Sequence, residues 1–327
     1  MSGVSHREVD AADEGIRLDR WFARHYPGLG HGALAKLLRT GQVRIDGRRA
    51  RAGDRVAAGQ TIRIPPLDPS AFTSPSARPR LAEPTDADIA EMRAMVLYED
   101  EDVIALDKPP GLATQGGPGI ARHVDGLLEA LRAQGGERPK LVHRLDKDTS
   151  GLLLVARTAR AAAHLAAAFK ARETRKIYWA LVMGVPALRN GKIVAPMEKL
   201  PDPKGERMIV TMSGKPARTL YATIAHAGRR AAWLALRPLT GRTHQLRLHC
   251  AHMGHPIVGD GKYGGSDAML GGSVSRKLHL HARRLVIPHP DGRRLLDLTA
   301  PLPEHMRASW AMFEWDETLS DDPFPED

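Results

Sequence analysis

Apolar positions near the start of the chain first follow a helical period. Leu18, Trp21, Phe22 and Tyr26 recur at helical spacing until Pro27-Gly28 interrupts them, and Leu34, Leu37 and Leu38 form a second stripe that ends at Gly41. Val43-Arg44-Ile45 then reads as a strand entering an Asp46-Gly47 turn, with Thr61-Ile62-Arg63-Ile64 as a later strand. These elements predict a small α/β domain over residues 1–64. Pro65, Pro66, Pro69, Pro75, Pro79 and Pro84, mixed with Ser and Ala, predict a linker over 65–91.

Beyond it the period shortens. Met95-Val96-Leu97-Tyr98 and Val103-Ile104-Ala105-Leu106 read as strands, and the segments 125–133 and 159–170 as helices. From Lys176 onward strands dominate, at 177–182, 208–212, 218–224, 232–236, 285–287 and 295–298. Consecutive strands with few helices between them predict an α+β fold with a largely antiparallel mixed sheet flanked by helices, because parallel pairing needs a crossover for each pair. That domain is expected over 92–313.

Charge adds a partner. The chain of 327 residues carries a net charge of +10 at pH 7. From Ile16 to Ile64 there are eleven Lys/Arg against three acids, whereas 314–327 holds seven acids and no base. One end is suited to a polyanion, and the other reads as an acidic, disordered tail. No run approaches the roughly 18 apolar residues of a membrane span. Met1 to Glu8 has no apolar signal core, so a cytoplasmic protein without membrane contact is expected. Cys250 is the only cysteine, which excludes an internal disulfide and a cysteine-based zinc site.

The candidate chemistry is concentrated in His143-Arg144-Leu145-Asp146-Lys147-Asp148-Thr149-Ser150-Gly151, which leads into the apolar run Leu152-Leu153-Leu154-Val155. A carboxylate between two cationic side chains, at the mouth of a Thr-Ser-Gly turn, stays ionised and directed, as a nucleophile or general base must. The bland alternative is a surface turn in which Asp146 caps a helix and pairs with Arg144. Asp146-Lys147-Asp148-Thr149, with Gly259-Asp260 and Asp267, also fits the acidic clusters of a Mg²⁺-dependent phosphatase. That fold needs an apolar strand running straight into the first aspartate, and here His143 and Arg144 precede it. The histidines at 244, 249, 252 and 255 stand among arginines with no carboxylates beside them, so no metal is expected there.

The nine-residue run resembles the active-site signature of the RluA-type pseudouridine synthases, His-Arg-Leu-Asp-x-x-Thr-Ser-Gly. Thr174 to Val182 resembles that family's Lys-x-Tyr-x-Ala-Leu strand, in which Lys176, Tyr178 and Ala180 share a face. Gly241-Arg242-Thr243-His244-Gln245-Leu246-Arg247-Leu248-His249 resembles its Gly-Arg-Thr-His-Gln-Leu-Arg-Val-His segment, with Thr243 a plausible N-cap for the helix carrying Arg247. Asp107-Lys108-Pro109-Pro110-Gly111 and Gly116-Gly117-Pro118-Gly119 stand in the places of two family loops, and His255 to Asp260 with Lys262-Tyr263-Gly264 matches a later one. The N-terminal segment resembles an S4 RNA-binding domain through Arg17-Leu18-Asp19, the Leu-Leu-x-x-Gly-x-Val-x-Ile-Asp-Gly turn and Ala58-Gly59-Gln60.

The resemblance implies a pseudouridine synthase fold and an RNA isomerase. A uridine is flipped out, its N-glycosidic bond is broken, and C5 of the rotated base is joined to C1′. Asp146 would be the nucleophile or base. Tyr178 would stack on the base and assist proton removal, and Arg247 would pair with Asp146 to keep it charged. Arg144 would help extrude the uridine, Leu246 would line the apolar wall, and His143 and Lys176 would contact substrate. Arg17, Arg20, Lys36, Arg39 and Arg44 would hold RNA in the S4-like domain. Neither cofactor nor metal is required, and a monomer acting on large-subunit ribosomal RNA is expected. A non-catalytic RNA-binding or ribosome-assembly factor is the alternative from a different class.

Overall fold

The apolar run at Leu152 to Val155 lies inside a strand, β8 (Ser150–Ala156), of which every residue is buried. Burial on both faces explains why it is continuously apolar rather than alternating. In this computed structural model the chain divides into two units, Met1–Ala82 and Glu83–Asp327. The structure describes residues 3–68, 71, 83–117, 119–171, 173–202, 205–318 and 322–324.

In the first unit β1 (Ser5–Glu8), α1 (Leu18–His25), α2 (His31–Arg39), β2 (Arg44–Ile45), β3 (Arg48–Arg49) and β4 (Thr61–Ile64) enclose Leu18, Trp21, Phe22, Tyr26, Leu34, Leu38, Ile62 and Ile64. The strands form an antiparallel sheet in the order β1-β4-β2-β3. The β2–β3 turn places Asp46 at φ 47° and Gly47 at φ 77°. Two positive φ angles make a tight hairpin turn, and Asp and Gly are among the residues that adopt them readily.

Residues 69–70 and 72–82 of the predicted 65–91 linker, about half of it, lie outside the described residues. Its last part is not linker. Asp86–Ala94 forms helix α3, started by a reciprocal cap between Thr85 and Asp88, and Met92 is fully buried. The second unit therefore begins at Glu83 rather than at Met92. A Thr-x-x-Asp cap directly after Pro84 is a helix start that the density of prolines concealed.

The second unit is built on ten strands. β5 (Val96–Glu99), β6 (Val103–Lys108), β7 (Lys140–Leu141), β8, β9 (Arg175–Met183), β10 (Asn190–Val194), β13 (Arg218–Ala227), β14 (Ala231–Pro238), β15 (Leu280–Pro288) and β16 (Leu295–Thr299) share one sheet. The order is β10-β13-β14-β9-β15-β8-β6-β5, with β16 on β15 and β7 on β8. β11 (Met197–Asp202) and β12 (Gly205–Val210) form a separate hairpin. Helices α4 (Val124–Leu127), α5 (Ala159–Ala171), α6 (Gln245–His252) and α7 (Glu304–Met312) complete the unit. This is the expected largely antiparallel mixed sheet flanked by helices.

One pairing is parallel. β15 meets β8 only at His281↔Ser150 and Ala282↔Gly151. Ser150 and Gly151 thus open a strand, and the expected Thr-Ser-Gly turn is confined to the residues before them. Gly151 has φ 101°, and a Cβ there would stand 2.3 Å from the Ala282 carbonyl oxygen. Only glycine admits both that backbone and that approach. Ser150 Oγ and His281 Nδ1, 2.9 Å apart, fasten the same joint.

The expected disordered tail also needs correction. Trp315 packs beside Trp233 and Trp310, Asp322 pairs with Arg175, and Phe324 is 7% exposed in the same apolar cluster. Residues 319–321 and 325–327 lie outside the described residues. The acidic composition concealed two aromatic anchors, Trp315 and Phe324, and one paired carboxylate.

Candidate active site

The parallel joint sets the site, because the loop carrying Asp146 ends where β8 begins. Three contacts hold that loop. Thr114 Oγ1 donates to the Leu145 carbonyl at 2.7 Å and accepts from its N–H at 3.2 Å. The Gly111 N–H donates to the Lys147 carbonyl at 2.9 Å. Lys108, fully buried at the end of β6, donates from Nζ to the carbonyls of Pro109, Leu112 and Lys147 at 2.9, 2.8 and 3.0 Å. Burial pushes its ammonium down to about 8, while Asp148, Asp146 and Asp107 pull it back up. Three carbonyls and nearby carboxylates offset the cost of a buried ammonium.

The Asp146 carboxylate accepts no hydrogen bond among the described residues. Its side chain is 26% exposed, and His244 Nε2 stands 3.9 Å from Oδ1. It lines a cavity of about 730 Å³ together with His143, Arg144, Lys176, Tyr178, Leu246, Arg247 and Thr243. The fold thus gathers all seven predicted residues of the second unit in one place. Lys176 and Tyr178 reach it from the same face of β9, as the alternation predicts. Arg17, Arg20, Lys36, Arg39 and Arg44 belong to the other unit, where all five are exposed. There Arg17 pairs with Asp19, and Arg44 donates to the carbonyls of Gly41 and Gly47.

Tyr178 packs against both apolar clusters that meet at the joint. Burial pushes its phenol up, and the nearby Asp146 charge adds to that, so the hydroxyl is protonated at neutral pH. Lys176 Nζ sits over the Phe169 ring, 5.7 Å from its centre. Leu246 is 7% exposed and supplies apolar wall.

Two assignments change. Arg247 does not pair with Asp146. Its Nε and Nη2 donate to the two carboxylate oxygens of Asp260 at 2.8 and 2.7 Å, and Asp260 Oδ1 also accepts from the N–H groups of Lys262 and Tyr263. Asp146 influences Arg247 only as a neighbouring charge. His143 is engaged structurally. Its Nε2 accepts from the Leu154 N–H at 2.8 Å and its ring lies tilted against Phe169, 4.7 Å between centres, while burial and the Lys176 charge push it down to about 3.

The start of α6 differs as well. The N-cap is His244, at φ 53° with no side-chain cap, not Thr243. His244 Nδ1 lies 2.8 Å from the Tyr263 hydroxyl, which aims the other ring nitrogen at Asp146. Burial holds His244 below its usual range; Asp146 and Asp260 oppose this, and Arg247 and Lys262 reinforce it. The Asp107-Lys108 and Lys262-Tyr263 matches signalled these supporting residues without giving them roles.

The geometry also bears on the phosphatase alternative. Asp260 faces the Arg247 guanidinium, with Oδ2 accepting from Nε and Oδ1 from Nη2 and two backbone N–H groups, so the cation beside its carboxylate is an arginine of this chain.

A carboxylate facing a cavity of mixed polar and apolar lining, with cations at the rim and a tyrosine ring beside it, is the arrangement expected of an enzyme that handles a flipped base. Comparison with known proteins gives the class: residues 102–252 match the RNA pseudouridylate synthase family. The chain belongs to that family and is an RNA pseudouridine synthase, an isomerase. The ribosomal large subunit pseudouridine synthase C of Vibrio cholerae is 34% identical over 93% of this chain and 95% of its own. The protein of the same name from Rickettsia bellii is 37% identical over 88% and 95%. The human RNA pseudouridylate synthase domain containing 4 superposes with a TM-score of 0.58 at 25% identity, covering 70% of this chain and 97% of its own.

Proposed function

We propose that the protein isomerises specific uridines of large-subunit ribosomal RNA, with Asp146 as the reactive carboxylate. The observation that carries the assignment is the unengaged Asp146 carboxylate, facing a cavity of about 730 Å³ from a loop fastened on both sides. A pure RNA-binding factor has no use for a bare negative charge held toward a phosphate-rich ligand. The names of the relatives, ribosomal large subunit pseudouridine synthase C, support the choice of RNA.

In this reading the target uridine leaves its helix and enters the cavity, where Tyr178 stacks on the base and Leu246 covers its edge. Arg144, exposed at the rim with Nη1 3.3 Å from Gln115 Oε1, assists the extrusion. Asp146 acts on the nucleotide while the glycosidic bond breaks and C5 is joined to C1′. The resting Tyr178 is a phenol, so it stacks and donates; in giving its proton to the detached base, whose N1 ends protonated, it is left able to take the C5 proton, which restores the phenol. His244 and Arg247 position the groups around Asp146. No step of this sequence changes oxidation state or transfers a group from a donor, so no cofactor enters it.

The first unit, with exposed Arg20, Lys36 and Arg39, acts as an S4-like RNA-binding module that supplies affinity and target choice. The protein works as a cytoplasmic monomer. Among the described residues no helix is long and apolar enough to cross a membrane. Mapping pseudouridines across cellular RNA with and without the protein tests the assignment. Loss of specific large-subunit sites supports it, and an unchanged ribosomal map contradicts it.

A further inference from the structure

A second cavity of about 710 Å³ opens beside the active-site cavity. Phe169, Lys176, Pro238, Thr240, Gly241 and Arg242 belong to both, so the two share a wall. Its volume falls within the range of about 300–1,000 Å³ of ligand-binding pockets. Its lining is one-sided in charge, with Lys170, Lys176, Arg218, Arg237 and Arg242 and no carboxylate.

Those cations come from separate elements. Lys170 lies in the last turn of α5, Lys176 on β9, Arg218 at the start of β13 and Arg242 in the loop before α6. Lys170, Arg218 and Arg242 are exposed. The Arg242 side chain donates from Nε to the Pro216 carbonyl at 3.3 Å, and Lys176 rests on the Phe169 ring. Among the described residues none of Lys170, Lys176, Arg218 and Arg242 is paired with a carboxylate. Like charges gathered from four elements repel one another unless an anion joins them, and nothing in the apolar packing requires them there.

We infer that this groove receives the sugar-phosphate backbone of the nucleotides on one side of the flipped uridine, with Lys170 and Arg218 touching phosphates directly and Lys176 at the seam. The inference rests on the reading of the neighbouring cavity as the uridine site. A strand leaving that cavity across the shared wall meets the cations in succession. Hydrogen bonds to phosphate fix register without reading sequence, so the groove sets how far the strand is drawn past Asp146.

The test uses the full chain and a stem-loop carrying a mapped target uridine. Lys170→Gln and Arg218→Gln, combined, are expected to raise the KM at least tenfold while turnover at saturating RNA falls less than twofold. The slope of log affinity against log salt should become shallower by about 1.4, since each single-strand phosphate left without its cation reduces it by roughly 0.7. Lys170→Arg with Arg218→Lys should restore the slope. Shortening the RNA on one side of the uridine should erase the difference between wild type and variant, and shortening it on the other side should not.

An unchanged salt slope, or a deficit that survives both shortenings, overturns the groove. Inorganic phosphate at matched ionic strength separates a free-anion site from a strand site. Inhibition of the wild type by millimolar phosphate, with no dependence on RNA flank, also overturns it. The salt slope is a binding measurement, so it judges the groove even if no pseudouridine forms, which would count against the functional reading instead.

Discussion

Arg247 holds Asp260 through two parallel hydrogen bonds of 2.8 and 2.7 Å, with the Asp260 side chain fully buried and that of Arg247 9% exposed. The pair lies beside Asp146 without including it. Its role is to brace the start of α6 against the loop at Asp260, and Arg247 also lies over the Tyr263 ring, 5.3 Å from its centre. Tyr263 in turn meets His244. Asp146 is thereby left with an open carboxylate in a field set by its neighbours.

Breaking a buried ion pair on one side leaves an uncompensated charge, at a cost of about 3–5 kcal/mol. Arg247→Met and Asp260→Asn are each expected to lose that much in urea unfolding, and the double variant less than the sum. Asp146→Asn should unfold at nearly the wild-type midpoint. If Asp146→Asn were as destabilising as Asp260→Asn, the partner assignment would be wrong.

Two fully buried histidines on and beside β15 predict a pH dependence of stability. Burial pushes His279 down to about 4 and His281 to about 3, in both cases against opposing backbone hydrogen bonds. An unfolded chain protonates these rings near pH 6.5. Their contribution to stability is therefore complete above about 6.5 and is lost as pH falls toward 4 and 3, because the unfolded state binds protons that the folded state refuses. Each adds a slope of about 1.4 kcal/mol per pH unit in that window. In urea titrations between pH 6 and 4, His281→Gln should show a dependence shallower by one such increment. An unaltered slope would mean that His281 is already charged in the folded protein.

The C-terminal anchor yields a third prediction. Phe324 belongs to the buried cluster that holds Trp233 and Trp310, and its carbonyl accepts from Arg175 Nη2 at 2.5 Å. Truncating a buried phenylalanine costs about 3 kcal/mol. Phe324→Ala is expected to lower the thermal midpoint by several degrees, with Arg175→Ala behaving similarly. A midpoint indistinguishable from wild type would return 322–324 to the disordered tail that its composition predicts.

Most of the apolar strands and the helices α1, α2 and α5 were legible because their apolar positions carry the period of the element, whereas α3 and α7 were not read. Leu18, Trp21, Phe22 and Tyr26 all reach the first core, and Lys176 and Tyr178 share a face as alternation requires. β10 and β11 were not legible. Asn190-Gly191-Lys192 and Glu198-Lys199-Leu200-Pro201 offer no alternation, and most of β11 is exposed. The seven residues of the candidate site were legible as types in motifs. What sequence did not reveal was which of two aspartates Arg247 would grip, since that depends on where the loop at Asp260 folds back. The buried ammonium of Lys108 and the Thr114 bracket were hidden for the same reason, because their partners are backbone carbonyls and N–H groups that no residue type announces.

The central claim is that Asp146 does the chemistry. Asp146→Asn keeps the size and polarity of the side chain and removes its charge and nucleophilicity, and the structure shows no hydrogen bond or close ion pair that this change would break. The most direct measurement is the single-turnover rate of pseudouridine formation by this variant on its mapped ribosomal RNA, with RNA affinity and unfolding midpoint measured on the same preparation. The account predicts loss of at least a thousandfold in rate, with affinity and midpoint close to wild type and no effect of EDTA on the wild-type rate. A variant that retained more than a few per cent of the wild-type rate would contradict it.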